Sequence, residues 1–420
     1  MDFGHTAAIF DFAYYYPLFM GYLWIIAALF YYFHWERKDQ HFYEEVPRLG
    51  NYPGVSFVVP CHNEGENCRE TIESLLRQNY PEFEIIAVND CSTDDTGQIL
   101  EEMRARDSRV RVVHLKENQG KGMGLRMGAL VSNYEYLICL DGDALLHPNG
   151  SLWMMRHFVD GPRVGAVTGN PRVRNRTTLL GKIQVCEFSS IIGLIKRAQR
   201  IYGRVFTVSG VVSAFRKTAL HRIGYWNLDM VTEDIDVSWR LQLNHWDIRY
   251  EPRALCWILM PEQFRGLWRQ RLRWSQGGLE VLRRYWRSLF TWRARRMWLV
   301  SFELMLSTFW AYVMGSILLL WLAGKVMPLP ETMQVPTVIP GWAGVILGFT
   351  CLLQFAVSLA MDGRYEPKLG RFYYWMIWYP MIYWVIQAAT SIAALPRALF
   401  KPAGERAVWV SPDRGLRPPS

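Results

Sequence analysis

The tripeptide Asp141-Gly142-Asp143 follows the apolar run YLICL directly. Residues two apart project to the same side of an extended chain, so both carboxylates can face one ligand at the end of that run. A hard divalent cation such as Mg²⁺ or Mn²⁺ needs few protein carboxylates when diphosphate oxygens and water complete its shell. Taken alone, the tripeptide suits a polar surface turn equally well. Val88-Asn89-Asp90 ends another apolar run, and an Asp there can accept hydrogen bonds from a nucleobase imide or a ribose hydroxyl. Pro60, Asn63 and Glu64 lie in PCHNEGE at the end of a third run; Asn63 has the chemistry of a helix cap as much as that of a ligand. Lys121, in NQGKGMG, sits among glycines, where a cation can approach phosphate and the backbone can pass close by. The loop is not a dinucleotide fingerprint, since Leu125 stands where the third glycine belongs, nor a Walker loop, since Gly122 stands where Ser or Thr is required.

Two further clusters follow. Thr232-Glu233-Asp234 opens the amphipathic stretch IDVSWRLQ. An acidic first turn complements the helix dipole, and that role alone explains it; beside the DGD turn it also supplies the carboxylate that a sugar transfer needs to deprotonate a hydroxyl. In Gln270-Arg271-Leu272-Arg273-Trp274, spacings of three and four put Gln270, Arg273 and Trp274 on one helical face. That face offers an amide, a fork for diphosphate oxygens and an aromatic plate for a sugar ring. Arg and Trp are equally ordinary in a helix lying at a membrane interface.

The elements that must position these groups are legible in the apolar periodicity. Val55 to Val59, Phe83 to Val88, Val110 to Leu115 and Tyr136 to Leu140 read as buried strands, with helices over Asn67 to Gln78 and Thr93 to Arg106. Repeated strand, helix, strand implies an open α/β sheet, largely parallel, with right-handed crossovers. Ligands of such sheets sit at the carboxyl ends of the strands, where the polar clusters fall.

Outside this region the chain turns apolar. Phe12 to Phe33 carries no charge and is long enough to span a hydrocarbon core of roughly 30 Å. Arg37, Lys38 and Arg48 follow it and no Lys or Arg precedes it, which places the next segment in the cytoplasm. Met297 to Ala323, Gly341 to Met361 and Phe372 to Leu395 are three further stretches of spanning length. Parity puts the C-terminus outside, whereas Arg397, Lys401, Arg406 and Arg414 argue for inside, and Pro380 can break the last stretch into a re-entrant piece. The division expected is a spanning segment at 1–36, a transferase domain at 50–260, interfacial helices with QRLRW at 261–296, membrane segments at 297–396 and a basic tail at 397–420.

Composition agrees with a membrane-attached enzyme. Half of the 420 residues are hydrophobic, with 19 Trp, 21 Tyr and 21 Phe, yet the mean hydropathy of −0.02 requires a large water-facing part. The net charge of +9 concentrates beside apolar segments, as in Arg283, Arg284, Arg287, Arg293, Arg295 and Arg296, which fits anionic lipid rather than nucleic acid. The 7 cysteines are scattered without a C-x-x-C pair, as in a reducing compartment and against a zinc site.

In this order, DxD, TED and QxxRW between membrane stretches resemble the processive family of cellulose, chitin and hyaluronan synthases. VGAVTGNPRVRNRTTLLGKIQV, IIGLIKRAQRIYG, TEDIDVSWRLQLN, YEPRALCWILMPE and WVSPDRG are more similar still to catalytic subunits of bacterial poly-β-1,6-N-acetylglucosamine synthases. The similarity runs from about Gly54 into the tail. It implies a GT-A (Rossmann-like, nucleotide-diphospho-sugar transferase) domain inserted between transmembrane helices at a bacterial inner membrane. It also implies UDP-N-acetylglucosamine as donor, Mg²⁺ or Mn²⁺ as cofactor, a processive inverting transfer and a biofilm exopolysaccharide as product. By motif, Asp90 would hold uridine, Asp141 and Asp143 the nucleotide sugar and metal, and Asp234 would be the base. Gln270, Arg273 and Trp274 would bound acceptor and diphosphate, with Pro60, Asn63, Glu64, Lys121, Thr232, Glu233 and Arg271 as further substrate contacts. A small two-span accessory subunit, and cyclic di-GMP control at its interface, belong to the same resemblance. Cys91 departs from the family, which usually has glycine there, and one N-terminal span stands where relatives can have two. Other processive synthases share the motifs; a polyprenyl-phosphate sugar transferase would share the donor site but has no need of QRLRW. An inactive export or signalling scaffold would not need Asp90, Asp141, Asp143 and Asp234.

Overall fold

The computed structural model describes residues 4–37, 46–335, 337, 341–402 and 404–406; Lys38, Arg414 and the WVSPDRG stretch lie outside the described residues. Helix α1 (Gly4–Tyr31) ends in one π turn, Tyr32–Glu36. Strand and helix then alternate through β1 (Val55–Cys61), α2 (Glu66–Leu76), β2 (Phe83–Asn89), α3 (Thr96–Arg106), β3 (Val110–His114), α4 (Lys121–Val131) and β4 (Tyr136–Leu140). β1 and β2 are buried at every residue, the pattern of strands covered on both faces, and they pair in parallel with each other and with β3 and β4. Val55 pairs with both Phe83 and Tyr136, so the ends of β1, β2 and β4 come out along one edge. PCHNEGE, NDCSTDD and DGD are therefore neighbours there.

Past the DGD turn come β5 (Leu145–Leu146), α5 (Gly150–Val159), β6 (Val164–Val173), α6 (Leu179–Phe188) and α7 (Ile195–Tyr202). β7 (Val212–Arg216), α8 (Lys217–Ile223), α9 (Glu233–Leu243) and β8 (Asp247–Ile258) complete the domain. The sheet order among the described residues is β3-β2-β1-β4-β7-β6-β8-β5. β7 runs antiparallel between β4 and β6, whereas β6 and β8 are parallel. The parallel character read from the alternation thus holds for one half of the sheet and the other half is mixed. β6 and β8 are ten and twelve residues long and carry polar and charged residues, such as Asn170, Arg172, Asp247 and Glu251, so no short apolar run marks them in the sequence.

Helix α10 (Phe264–Leu289) carries QRLRW and leads to α11 (Trp298–Val326), α12 (Gly341–Asp362) and α13 (Tyr379–Phe400). Three helical stretches among the described residues are long and apolar enough to cross a membrane: Ala8–Glu36, Trp292–Val326 and Gly341–Asp362. The fourth apolar stretch read from the sequence does not join them. It is divided into a 3₁₀ segment, Leu369–Trp378, and α13, with Pro380 in the first turn of α13, where its missing N–H costs nothing. α13 packs on α10 and α11, with Arg283 donating to the Ala398 carbonyl at 2.6 Å and Tyr312 to that of Ile392 at 2.9 Å.

A buried charge cluster joins the sheet domain to the membrane helices. Arg197 on α7, fully buried, bonds Glu36 at 2.7 Å and Asp362 at 2.9 Å. Arg172 of β6 adds a 3.0 Å contact to Asp362, and Tyr365 donates to Glu36 at 2.8 Å. Two arginines and two carboxylates balance, so the burial is tolerated; removing one partner leaves an uncompensated charge. Arg197→Ala is expected to destabilise the protein by about 3–5 kcal/mol, seen as a drop of several degrees in the thermal unfolding midpoint of the detergent-solubilised enzyme.

Candidate active site

Lys121 begins α4, and its ammonium is the hub of the cleft. It lies 2.6 Å from Asp141 Oδ1 and 3.0 Å from Glu233 Oε1, and it donates to the Gly210 carbonyl at 3.0 Å. One cation therefore ties together the DGD turn after β4, the TED turn before α9 and the loop before β7. Burial alone would discharge the ammonium, but Asp141 and Glu233 outweigh it and hold the pKa well above the ordinary lysine value. The lysine read from the sequence as able to approach phosphate stands here between two carboxylates.

Glu233 and Asp234 are pushed in opposite directions. Burial opposes the charge on Glu233, but Lys121 and Arg273 overcome it and keep the carboxylate below its usual range. Asp234 is pushed up to about 6 by burial and by the negative charge of Glu233, with Lys121 and Arg273 offsetting part of the rise. Neighbouring carboxylates driven apart in this way divide into a fixed anion and a group able to exchange a proton near neutral pH. Asp234 Oδ1 accepts from the Ile235 amide at 3.0 Å. Its other oxygen faces Gly210, where a Cβ would stand 3.0 Å away, so glycine keeps the approach to that oxygen open.

The DGD carboxylates differ in exposure. Asp143 is buried and Asp141 is partly open. Asp141 Oδ1 is buried and, beyond the Lys121 ion pair, accepts no hydrogen bond. No cluster of three or more His, Cys, Asp or Glu suited to a metal occurs among the described residues. The residues present fit a cation held by one or two carboxylates whose remaining ligands come from a diphosphate, and do not fit an all-protein cage.

Asp90 is fully buried and accepts from the Gln119 and Gly120 amides, each at 2.8 Å; it anchors the loop that delivers Lys121. Asn63 neither caps α2, whose cap position is Gly65, nor stands apart: its side-chain oxygen accepts from the Thr93 amide at 2.8 Å and locks two strand-end loops together. Asn63 and Cys91 both have φ of 54°, left-handed backbone that favours glycine, which is why Cys91 is out of pattern for its turn. Pro60 is buried at the end of β1 against Gly124, and Glu64 is buried over Gly142.

On α10, Gln270, Arg273 and Trp274 share a face as their spacing requires. Arg273 is exposed and acts by charge on both TED carboxylates. Gln270 Oε1 is buried without a hydrogen-bond partner, as is Thr232 Oγ1; two orphaned acceptors in one cleft leave room for donors from a ligand. Arg271 turns away from them. It is buried, bonds Glu187 at 2.5 Å, and lies 4.4 Å over the Trp274 ring, while Tyr379 donates to Glu187 at 3.2 Å. Arg271, expected as a substrate contact, is placed in a buried ion pair beside the Trp274 ring, because one step along a helix turns a side chain by about 100°.

Gly277 went unremarked in the sequence. A Cβ there would lie 1.9 Å from Thr232 Oγ1, so α10 reaches the TED turn only because position 277 has no side chain. The signal available was the pair Gly277-Gly278 inside a long helical pattern, where each glycine costs about 1 kcal/mol relative to alanine. Gly277→Ala is expected to push the two elements apart and cut transfer activity by at least about tenfold, with the solubilised protein still monodisperse on size exclusion.

Residues 56–224 match the family model described as glycosyl transferase family 2. The chain is 41% identical over 409 residues to a poly-beta-1,6-N-acetyl-D-glucosamine synthase of Staphylococcus epidermidis, covering 97% of this chain and 98% of that one. It is 38% identical over 408 residues to the synthase of the same name from Staphylococcus aureus strain COL, with the same coverage. Among solved structures it is similar to mannosyltransferase PcManGT from Pyrobaculum calidifontis in complex with GDP-Man and Mn²⁺. The TM-score is 0.64 at 18% identity, over 94% of this chain and 98% of that one; this likeness concerns the fold. A Rossmann-like sheet with DGD, TED and QRLRW around one cleft, and near-full-length identity of about two in five to named synthases, give one conclusion: the chain belongs to glycosyl transferase family 2, among the poly-beta-1,6-N-acetyl-D-glucosamine synthases.

Proposed function

We propose that the protein is a processive inverting hexosyltransferase that polymerises N-acetylglucosamine from UDP-N-acetylglucosamine into a β-1,6-linked chain. The observation that carries this reading is the convergence of Asp141 and Glu233 on Lys121, with Asp234 within reach of its charge and the QRLRW helix packed against the same turn. Asp234 removes the proton from the C6 hydroxyl of the chain end as that oxygen bonds to the anomeric carbon. The bond from that carbon to the UDP oxygen breaks, UDP leaves with the electron pair, and configuration inverts. Arg273 meets the departing diphosphate, Lys121 and Glu233 keep the acidic turns in register, and Gln270 and Trp274 seat the acceptor sugar. Asp143 with Asp141 would hold Mg²⁺ or Mn²⁺, which when bound supplies positive charge to the diphosphate. No carboxylate forms a covalent intermediate, unlike in retaining glycoside hydrolysis.

The three candidate spans make this a membrane protein. Arg37 and Arg48 after the first of them support a catalytic domain on the cytoplasmic face of the inner membrane, with the polymer leaving through or beside the helices. A two-span accessory subunit and cyclic di-GMP control at its interface are part of the same reading, as is a biofilm polysaccharide as product. The test is donor choice and linkage together. Membranes carrying the protein should incorporate label from UDP-N-acetylglucosamine but not from UDP-glucose or UDP-glucuronate, and methylation analysis of the product should give 6-substituted residues. A glucose polymer, a 4-linked product or a single sugar on lipid would reject the proposal.

A further inference from the structure

Lys196 on α7 is a buried lysine, 3% exposed, with no part in the mechanism above. Its amine donates to Thr168 Oγ1 of β6 at 2.9 Å and to Ser209 Oγ at 2.8 Å. The Ser209 amide in turn donates to Thr168 Oγ1 at 2.8 Å. Ser209 precedes Gly210, the residue that faces the free oxygen of Asp234 and whose carbonyl is held by Lys121. On the other side of Ser209, the Val208 amide donates to Ser238 Oγ at 2.8 Å, and Ser238 donates to the Asp234 carbonyl at 2.6 Å. The 207–211 loop is thereby held at three successive residues, and Lys196 holds the middle one, Ser209. Burial lowers the lysine to about 7, and the charge that counters this is that of Asp234. An ordinary structural lysine would keep its head in water. Burial of this one against two hydroxyls is compensated only by those bonds and by the nearby carboxylate.

We propose that Lys196 is a positioning residue for sugar transfer, fixing Ser209 and Gly210 as the wall against which the acceptor hydroxyl is presented to Asp234. This rests on the reading of Asp234 as the base. The role concerns the acceptor and leaves the donor side alone, because the contacts of Lys196 lie on β6 and the 207–211 loop and include neither DGD carboxylate. A loosened wall admits water where the hydroxyl should be, so the donor is hydrolysed without extending the chain.

The test uses the full-length protein in membranes, as wild type, Lys196→Met, Ser209→Ala, the double variant and Asp234→Asn. It measures donor KM, the rate of polymer formation, and UDP released per sugar incorporated. Lys196→Met is expected to slow polymer formation by about tenfold or more, to leave donor KM within about twofold, and to raise the ratio of UDP released to sugar incorporated. Ser209→Ala should move the ratio the same way, and the double variant should be no worse than Lys196→Met. Wild-type rate and ratio in Lys196→Met overturn the inference. So does a loss in which donor KM rises in parallel and the ratio stays fixed, as general loosening of the domain would give. Should Lys196→Met fail to accumulate, Ser209→Ala decides: a raised ratio supports the role and a wild-type ratio overturns it. Full activity in Asp234→Asn would reject the base itself, a failure distinct from any result at Lys196.

Discussion

Asp234→Asn is expected to lower polymer synthesis by about 10²–10⁴ while leaving the protein in the membrane and able to bind donor. The substitution keeps the shape of the side chain and its acceptor oxygen for the Ile235 amide, so loss of rate reports loss of proton removal. The pH profile carries the same information in the wild type. A base works only when ionised, so kcat/KM should fall as pH drops through about 6, the value to which burial and Glu233 raise Asp234. Glu233→Gln removes the negative neighbour. Ionisation of Asp234 then becomes easier, and the acid limb should move to lower pH. A limb that stays fixed or moves upward in Glu233→Gln would separate Asp234 from the titration.

The second large effect is expected at Lys121. Lys121→Met leaves Asp141 and Glu233 facing each other across the cleft without their shared cation, a loss on the order of 3–5 kcal/mol for a buried ion pair broken at one partner. Activity should fall by at least about a hundredfold, because the DGD and TED turns lose their common anchor. Lys121 also favours the ionised form of Asp234, so any residual activity should show an acid limb displaced to higher pH, opposite in sign to Glu233→Gln. Lys121→Arg is expected not to restore the rate, since a planar fork does not replace a point charge held by three oxygens. Equal pH limbs in the two variants would contradict the electrostatic coupling drawn between these residues.

The parallel half of the fold was legible because its strands are short, mostly apolar and separated by helical periods, so β1 to β4 fall within a residue or two of their expected bounds. The DGD, TED and QRLRW clusters were legible as chemistry, since each joins charged groups to a recognisable local geometry. Their meeting at Lys121 was not, because it is made by contacts between residues far apart in sequence, such as Lys121 and Glu233. The pairing of Arg197 with Glu36 and Asp362 spans 161 and 165 positions and leaves no periodic trace. Burial of Asp90 and Arg271 likewise depends on what packs over them, and the bonds they make to the loop and helix that carry the site are not legible in the sequence. Lys196 was missed because a basic residue in KRAQR reads as an exposed helix face. The last apolar stretch has spanning length by composition alone, and the break between Trp378 and Tyr379 falls beside Pro380, the residue that marks it in the sequence.

The most direct measurement is incorporation of radiolabelled sugar from UDP-N-acetylglucosamine by membranes carrying the wild type and Asp234→Asn side by side, with the product treated with a β-1,6-N-acetylglucosaminidase. Polymer from the wild type that the enzyme degrades completely, and none above background from the variant, is the expected result. Polymer that resists the enzyme, or equal incorporation by Asp234→Asn, would contradict a β-1,6 synthase that uses Asp234 as its base.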